Sequence, residues 1–227
     1  MNATLRSLTT PLALGLVLLA AGCGALPDKP QRATLYDFGP GVPAASATGA
    51  SVSAAAPATL PTLALAEFEA NARLDGTQIL YRLGYADANE LRPYGQSRWS
   101  LPPAQLLRQR LRDTLSERRM VLGPEESATI ARSKGDVPDM LRISLDEFSH
   151  YFESPGASTG LVRLRATLIR GTAGGDRVLG QRLFTVRRPA PSADAPGGVK
   201  ALIASSDAAV AEVVQWVDQL QQQQPRQ

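Results

Sequence analysis

The stretch GLVRLRATLIR, Gly160–Arg170, alternates apolar and polar side chains over most of its length. Its apolar residues at even positions are Val162, Leu164, Ala166 and Leu168. The residues between them are Arg163, Arg165 and Thr167. Because successive side chains of a strand point to opposite faces, this pattern predicts a β-strand with one face in the core and one in solvent.

Two similar segments flank this strand. MLRISLDEFSHYF (Met140–Phe152) precedes it, and RVLGQRLFTVRR (Arg177–Arg188) follows it. Turn signals separate the three segments at Ser154–Gly156 and at Gly171–Gly175. We therefore predict a three-stranded meander with one solvated face.

Further strands are predicted upstream. LPTLALAEFEA (Leu60–Ala70) and DGTQILYRLGY (Asp75–Tyr85) both alternate, and a turn at Asn71–Gly76 lies between them. This arrangement predicts an antiparallel hairpin. A strand-like stretch at Arg32–Gly41 ends in the turn residues Gly-Pro-Gly.

Two amphipathic helices complete the pattern. Trp99–Arg119 has prolines in its first turn, where they are tolerated, and Ser100 is the predicted N-cap. Its apolar stripe contains Leu107, Leu111 and Leu115. The spacing of apolar residues over Val199–Gln222 predicts one continuous helix. The alternative is a second helix that Ser205–Asp207 would cap.

Together these elements predict an α+β fold in a single domain over residues 32–222. The expected architecture is a mainly antiparallel sheet of about five to six strands packed against two amphipathic helices, in the core order ββαβββα. Residues 42–59 are rich in Ala, Ser, Pro and Gly. They predict a flexible loop, because they cannot bury enough apolar surface to offset the entropy of ordering. Residues 223–227 predict a disordered tail.

The N-terminal residues are typical of a secretory signal. Arg6 precedes an apolar run, Leu12–Ala21, which is too short to span a membrane. Small residues then lead to the only cysteine, in the order Ala20, Ala21, Gly22, Cys23. This order resembles the bacterial lipobox, which implies a diacylglyceryl group on the thiol and cleavage before Cys23. We therefore expect a lipoprotein signal peptide over 1–22, lipidation at Cys23 and a tether over 23–31.

The alternative for Cys23 is a free thiol behind an ordinary secretory signal. A catalytic thiol is disfavoured, because no histidine lies nearby to lower its pKa. The next residue is Gly24 and not Asp. By resemblance to enterobacterial sorting, Gly24 implies the periplasmic face of the outer membrane, with the inner membrane as the less favoured alternative.

The charge pattern argues against a nucleic-acid partner. The chain has 24 basic and 21 acidic residues, with a net charge of +3. Both signs are scattered along the chain, whereas a nucleic-acid reader would show a basic stripe with interleaved aromatic residues.

The sequence contains no catalytic constellation. One cysteine and one histidine, His150, exclude a cysteine-cluster metal site and make a Ser-His-Asp triad hard to build. Three carboxylates near His150 are typical of surface positions, namely Asp146, Glu147 and Glu153. The glycines of Gly171–Arg177 join two strands and do not lead into a helix, so they predict a turn and not a phosphate cradle. We expect no enzymatic activity, no metal and no cofactor.

The order of motifs resembles the ABC-type transport auxiliary lipoprotein family, which includes lipoprotein partners of mammalian-cell-entry (MCE) type lipid transporters. After the lipobox, the matching motifs are LYDFGP (Leu35–Pro40), LDGTQILYRLGYADANELRPYGQSRWSLPPAQLLRQRL (Leu74–Leu111), LRISLDEF (Leu141–Phe148) and VVQWVDQL (Val213–Leu220). The resemblance implies a non-enzymatic adaptor that is tethered to the outer membrane and docks onto an MCE-domain protein. An inner-membrane ABC permease and its ATPase would drive transport of phospholipid or another apolar molecule.

A homo-oligomeric ring is compatible with such an adaptor. The expected docking residues are Tyr85, Tyr94 and Trp99, and the alternative for all three is packing in the core and loops. The alternative function is that of an envelope structural or assembly lipoprotein without a link to an ABC transporter.

Overall fold

A mixed β-sheet organises the protein, and helices cover one of its faces. The computed structural model describes residues 32–40, 60–132, 137–172 and 174–224. The described residues from Ala33 onward belong to one compact unit. Its elements are β1 (Thr34–Tyr36), β2 (Leu63–Leu65), β3 (Glu69–Ala70), β4 (Gln78–Leu83), β5 (Asp87–Trp99), α1 (Pro103–Ser116), β6 (Val121–Leu122), α2 (Pro124–Arg132), β7 (Asp139–Ser154), β8 (Ala157–Thr172), β9 (Gly175–Pro189) and α3 (Ala195–Gln223).

The predicted meander forms from the three longest strands. β8 pairs antiparallel with β7 on one side and with β9 on the other. Leu164 lies between Leu145 and Phe184, and all three side chains are buried. Each apolar residue expected on the core face of β8 is buried, and the predicted alternation is therefore confirmed.

The other edge of β7 carries three short strands in succession, all parallel to it. β2 pairs with Asp139–Leu141, β3 with Ser144 and Leu145, and β4 with His150–Phe152. Beyond these strands, β5 is antiparallel to β4, β1 is parallel to β5, and β6 is parallel to β2. β1 and β9 therefore lie at opposite ends of the sheet.

The predicted hairpin between Leu60–Ala70 and Asp75–Tyr85 is wrong. The first segment divides into β2 and β3, and β4 pairs with β5, a strand the sequence did not reveal. β5 contains Pro93 and Gly95, which are unfavourable in strands, and it exposes most of its side chains. The α+β class is confirmed. The sheet is larger than predicted, with nine strands in the described residues, and it is not purely antiparallel.

The two predicted helices form with changed boundaries. α3 is continuous over Ala195–Gln223, so the alternative break at Ser205–Asp207 does not occur. Asp194 caps it by accepting a hydrogen bond of 2.8 Å from the backbone N–H of Gly197. α1 begins only at Pro103 because Trp99 ends β5, and Ser100 is not its N-cap. The short helix α2 was not predicted.

α3 packs closely on the centre of the sheet. A Cβ added at Gly160 of β8 would lie 2.4 Å from the carbonyl carbon of Ala201, which is less than any van der Waals contact allows. The neighbouring Leu202 is fully buried. Glycine at position 160 thus lets the helix backbone approach the strand.

A buried polar network holds the last turns of α3 against the end of the sheet. Arg170 donates two hydrogen bonds of 2.9 Å to the carboxylate of Asp139. Gln221 Nε2 donates to the same carboxylate at 3.1 Å, and Arg119 Nη1 donates to Gln221 Oε1 at 2.6 Å. Arg119 also forms an ion pair with Asp218. Each buried charge therefore has a partner, as burial requires.

Candidate docking site

The three expected docking residues occupy different environments. Trp99 is fully buried, with its ring centroid 5.7 Å from both Phe38 and Phe148 in edge-on contacts. Among the described residues, its indole nitrogen has no hydrogen-bond partner. This position favours the alternative of core packing for Trp99.

Tyr85 is the exposed member of the three. It lies in the turn that joins β4 to β5, and 48% of its surface is accessible. In the part of the chain that the structure describes, no ring contact links it to the other aromatic residues. Tyr85 therefore presents a large amphipathic side chain at the tip of a hairpin.

Tyr94 belongs to a half-buried aromatic cluster between β4, β5 and β7. Its ring lies 4.7 Å from Tyr81 and 6.2 Å from His150. Phe152 lies 4.4 Å from His150 and 6.1 Å from Tyr81. The Tyr94–His150 pair is stacked and the other pairs are tilted or edge-on. Such ring pairs stabilise one another beyond the area that they bury. These contacts pack the β4–β5 hairpin against β7.

His150 is a packing residue in this cluster. Its ring is fully buried, and its Nδ1 shares a hydrogen bond of 2.8 Å with the hydroxyl of Tyr94. A Cβ added at Gly198 of α3 would lie 2.3 Å from this nitrogen, so the helix covers the ring. Burial lowers the pKa of His150 to about 4. The imidazole is therefore neutral at pH 7, which suits a buried ring.

Burial shifts the pKa of Tyr94 upward, whereas it shifts the pKa of His150 downward. Desolvation of its hydroxyl raises the pKa of Tyr94, so the phenol stays protonated at pH 7. The Tyr94–His150 pair thus consists of two neutral groups. Among the described residues Nε2 of His150 has no hydrogen-bond partner, and no carboxylate orients the ring as in a catalytic triad.

Glu147 is an unexpected anchor of the hairpin. The sequence indicated a surface carboxylate, but Glu147 is only 7% exposed. Arg82 of β4 donates to its two oxygens at 3.3 and 3.1 Å, and Arg73 donates at 3.4 Å. Arg82 also donates to the carbonyl groups of Ala88 and Asn89, both at 3.2 Å. One guanidinium thus joins β4, β5 and β7.

A register shift places Glu147 on the same face of the sheet as Arg163. The pairing of β7 with β8 slips between Leu145 and Glu147, so the strand contains an irregularity there. Such a bulge changes the direction of the side chains that follow it, so Phe148 and not Glu147 lies on the core face. The burial of Glu147 comes from Arg82 and Arg73, which cover its carboxylate. The available signal was the pair of arginines upstream, since a buried carboxylate needs cationic partners.

Neither a metal-binding group nor a membrane-spanning helix is found among the described residues. Across 32–40, 60–132, 137–172 and 174–224, no group of three or more His, Cys, Asp or Glu side chains could hold a metal. Within the same residues, no helix is both long and apolar enough to cross a membrane. Cys23 lies outside the described residues, as do residues 1–22, the tether 24–31, the loop 42–59 and the tail residues 225–227.

Solved structures that share this fold include the following two. The first is protein XCC0632 from Xanthomonas campestris, of the DUF330 family, at 21% identity and a TM-score of 0.61. The match covers 74% of this chain and 89% of that one. The second is an uncharacterized protein at 15% identity and a TM-score of 0.52, covering 82% of this chain and 99% of that one. No curated protein matches the sequence.

These similarities show an α+β fold that the chain shares with both structures. The family model for the ABC-type transport auxiliary lipoprotein component matches residues 43–222. The chain belongs to this family, and the resemblance drawn from its motifs is confirmed. By family, the protein is an auxiliary lipoprotein of an ABC-type transport system, and it belongs with the proteins of the cell envelope.

Proposed function

We propose that this protein is a non-enzymatic adaptor, tethered to the periplasmic face of the outer membrane, for an MCE-type ABC transport system. In this role it docks onto an MCE-domain protein. The inner-membrane permease and ATPase then move phospholipid or another apolar molecule between the membranes. The observation that carries the proposal is the family match over residues 43–222.

The β4–β5 hairpin supports a docking role. Tyr85 is exposed at its tip, while Tyr94 and the ion pair of Arg82 with Glu147 hold its two strands against β7. A rigid hairpin with an exposed tyrosine is suited to binding, because aromatic side chains give much contact area for little loss of entropy. Within the hairpin we therefore assign the partner contact to Tyr85.

The anchor in this proposal is Cys23. Acyl chains contribute roughly 0.8 kcal/mol per buried methylene, and more than one chain is needed for a stable anchor. A lipidated and acylated Cys23 would meet that need. Gly24 at the next position supports the outer membrane by the sorting resemblance.

A capture experiment tests the docking. The intact chain in detergent is immobilised and exposed to the purified periplasmic domain of the MCE-domain protein from the same genome. We expect that domain to be retained, and Tyr85→Ala to reduce the retained amount at least fivefold. Met120→Ala is the matched control, because Met120 is also exposed, at 65%, but precedes β6.

The outcomes separate the two candidate functions. Failure to retain the MCE domain contradicts the adaptor proposal. Retention that Tyr85→Ala and Met120→Ala weaken equally contradicts the assignment of Tyr85. Crosslinking in cells to envelope proteins without any transporter subunit would favour the structural or assembly role.

A further inference from the structure

The outer edge of β9 is a long unpaired strand edge. Among the described residues, β9 pairs only with β8, and its other side has no backbone partner. The strand runs for 15 residues, from Gly175 to Pro189. Alternate N–H and C=O groups along that side are therefore available to another strand.

Over Gly180–Arg188 this edge has no bulge and no proline, and charge is the one protective feature that it carries. Natural edge strands are commonly short, bulged or interrupted by proline. β9 shifts its register only near Val178, and its proline, Pro189, is the last residue. From Gly180 to Arg188 the strand is regular and opposes β8 residue by residue. This stretch can accept a further strand without rearrangement.

The charge on this stretch is uniformly positive. Gly180–Pro189 holds Arg182, Arg187 and Arg188 and no acidic residue. Arg182 and Arg188 form no ion pair within the described part of the chain. Pairing of β9 with β9 of a second copy would bring these arginines together, and like charges across strands are destabilising. The edge thus disfavours self-pairing and favours an acidic strand.

One face of the edge has a defined chemical pattern. Alternation places Arg182, Phe184, Val186 and Arg188 on the same side of β9, opposite Ala166, Leu164, Val162 and Gly160 of β8. The two arginines are six residues apart, which corresponds to about 20 Å along a strand. Between them lie Phe184 and Val186, both buried, and the ring of Phe184 makes an edge-on contact of 5.9 Å with Trp216 of α3. Apolar residues of an added strand would therefore extend this core face at its margin.

We propose that β9 binds an extended acidic segment of a partner protein as an additional strand of the sheet. The segment carries acidic residues six positions apart, opposite Arg182 and Arg188, with apolar residues at the two alternate positions between them. Main-chain hydrogen bonds provide affinity, and the spacing of the two carboxylates provides specificity. The proposal does not depend on which envelope assembly the protein serves.

The test uses a designed peptide as the probe. The capped peptide Glu-Thr-Val-Thr-Val-Thr-Glu has the required spacing in either strand direction. The controls are a peptide of the same composition with adjacent glutamates, and a peptide with lysine in place of both glutamates. Binding to the intact chain in detergent is measured by fluorescence anisotropy. We expect the first peptide to bind at least tenfold more tightly than either control.

Two double variants separate strand addition from general charge attraction. Arg182→Gln with Arg188→Gln removes the edge charges, and Arg142→Gln with Arg163→Gln removes the same charge from exposed positions on β7 and β8. We expect the edge variant to lose at least tenfold in affinity and the control variant less than threefold. Amide hydrogen exchange over residues 180–188 should slow when the peptide binds.

Three outcomes would overturn the proposal. Equal losses in the two variants would indicate attraction to net charge alone. Equal binding of the lysine peptide would remove the role of the carboxylates. Binding without slower exchange on β9 would place the peptide elsewhere on the protein.

Discussion

At the scale of single residues, two close approaches to α3 determine how the helix sits on the sheet. Gly160 lets the backbone of Ala201 approach β8, and Gly198 lets the helix cover the ring of His150. The helix therefore seals a neutral imidazole from water. Both contacts concern backbone atoms or a fixed ring, so the structure cannot relax around a larger side chain by a simple rotamer change.

The buried imidazole makes stability depend on pH. The pKa of His150 in the folded protein is about 4, below the ordinary value of 6.5. Between these values the unfolded chain binds a proton that the folded chain does not, so the free energy of unfolding falls as the pH falls. From pH 7 to pH 4 we expect this group to contribute a loss of about 3 kcal/mol.

Urea unfolding at several pH values measures this loss in the parent and in His150→Gln. The variant keeps a polar side chain beside Tyr94 but binds no proton in this range. Its stability should therefore decrease less on acidification than that of the parent. Parallel pH curves for the two proteins would show that His150 is not the group responsible.

The approach at Gly160 gives a second prediction. Gly160→Ala places a methyl group 2.4 Å from the carbonyl carbon of Ala201 and must move α3 away from β8. Overpacking of this kind costs about 1–3 kcal/mol, and we expect the upper part of that range. Gly95→Ala is the control, since nothing lies within 4 Å of its added Cβ. Similar urea midpoints for the two variants would contradict the packing argument.

At the scale of elements, the network at the end of α3 joins helix, strand and loop. Asp139 is 1% exposed and accepts hydrogen bonds from Arg170 on β8 and Gln221 on α3. Its hydrogen bonds raise the pKa of Arg170. Without the Asp139 carboxylate, the charged guanidinium of Arg170 would remain unpaired in a poorly hydrated site. This would lower the free energy of unfolding.

Asp139→Asn tests that network. The substitution keeps the shape but removes the charge opposite Arg170, and we expect a loss of about 3 kcal/mol in the free energy of unfolding. Glu153→Gln is the control, because Glu153 faces Arg187 across 3.9 Å at an exposed position and its pair contributes about 0.5 kcal/mol or less. Chemical denaturation measures both variants. Equal losses would show that the buried pair contributes no more to stability than the exposed pair.

Among the helices and strands, some could be predicted from the sequence and others could not. β8 and α3 were predicted correctly because each buries a regular stripe over more than ten residues. Leu60–Ala70 alternates, but two or three residues each in β2 and β3 are too few to show where one strand ends and the next begins. β6 has two residues, which is too short for any period to show. β5 is long but mostly exposed, so no apolar alternation marks it. Its pairing with β4 depends on tertiary contacts, among them the ion pairs of Glu147.

At the scale of the whole molecule, sequence reasoning about the site succeeded where it used motifs and was weaker where it used residue type. The order of motifs indicated the family correctly. Aromatic character alone could not separate Tyr85 from Trp99, because core and surface both use large aromatic side chains. Strand pairing determines the burial of Trp99, because Trp99 is the last residue of β5, which lies between β1 and β4.

In the proposed function, the lipid on Cys23 determines where the protein lies, and the folded domain determines what it binds. Cys23 precedes the first described residue, Arg32, so the attached lipid should hold the domain near a membrane without taking part in its fold. Cys23→Ser should therefore move the protein from the detergent-rich phase to the aqueous phase in a phase-partition experiment. The variant should keep the melting temperature of the parent and its capture of the MCE domain in solution, because neither depends on the lipid.

Two outcomes would contradict this prediction. A variant that still partitions with detergent would contradict lipidation at Cys23. A variant that is aqueous but no longer captures its partner would mean that the lipid itself contributes to docking.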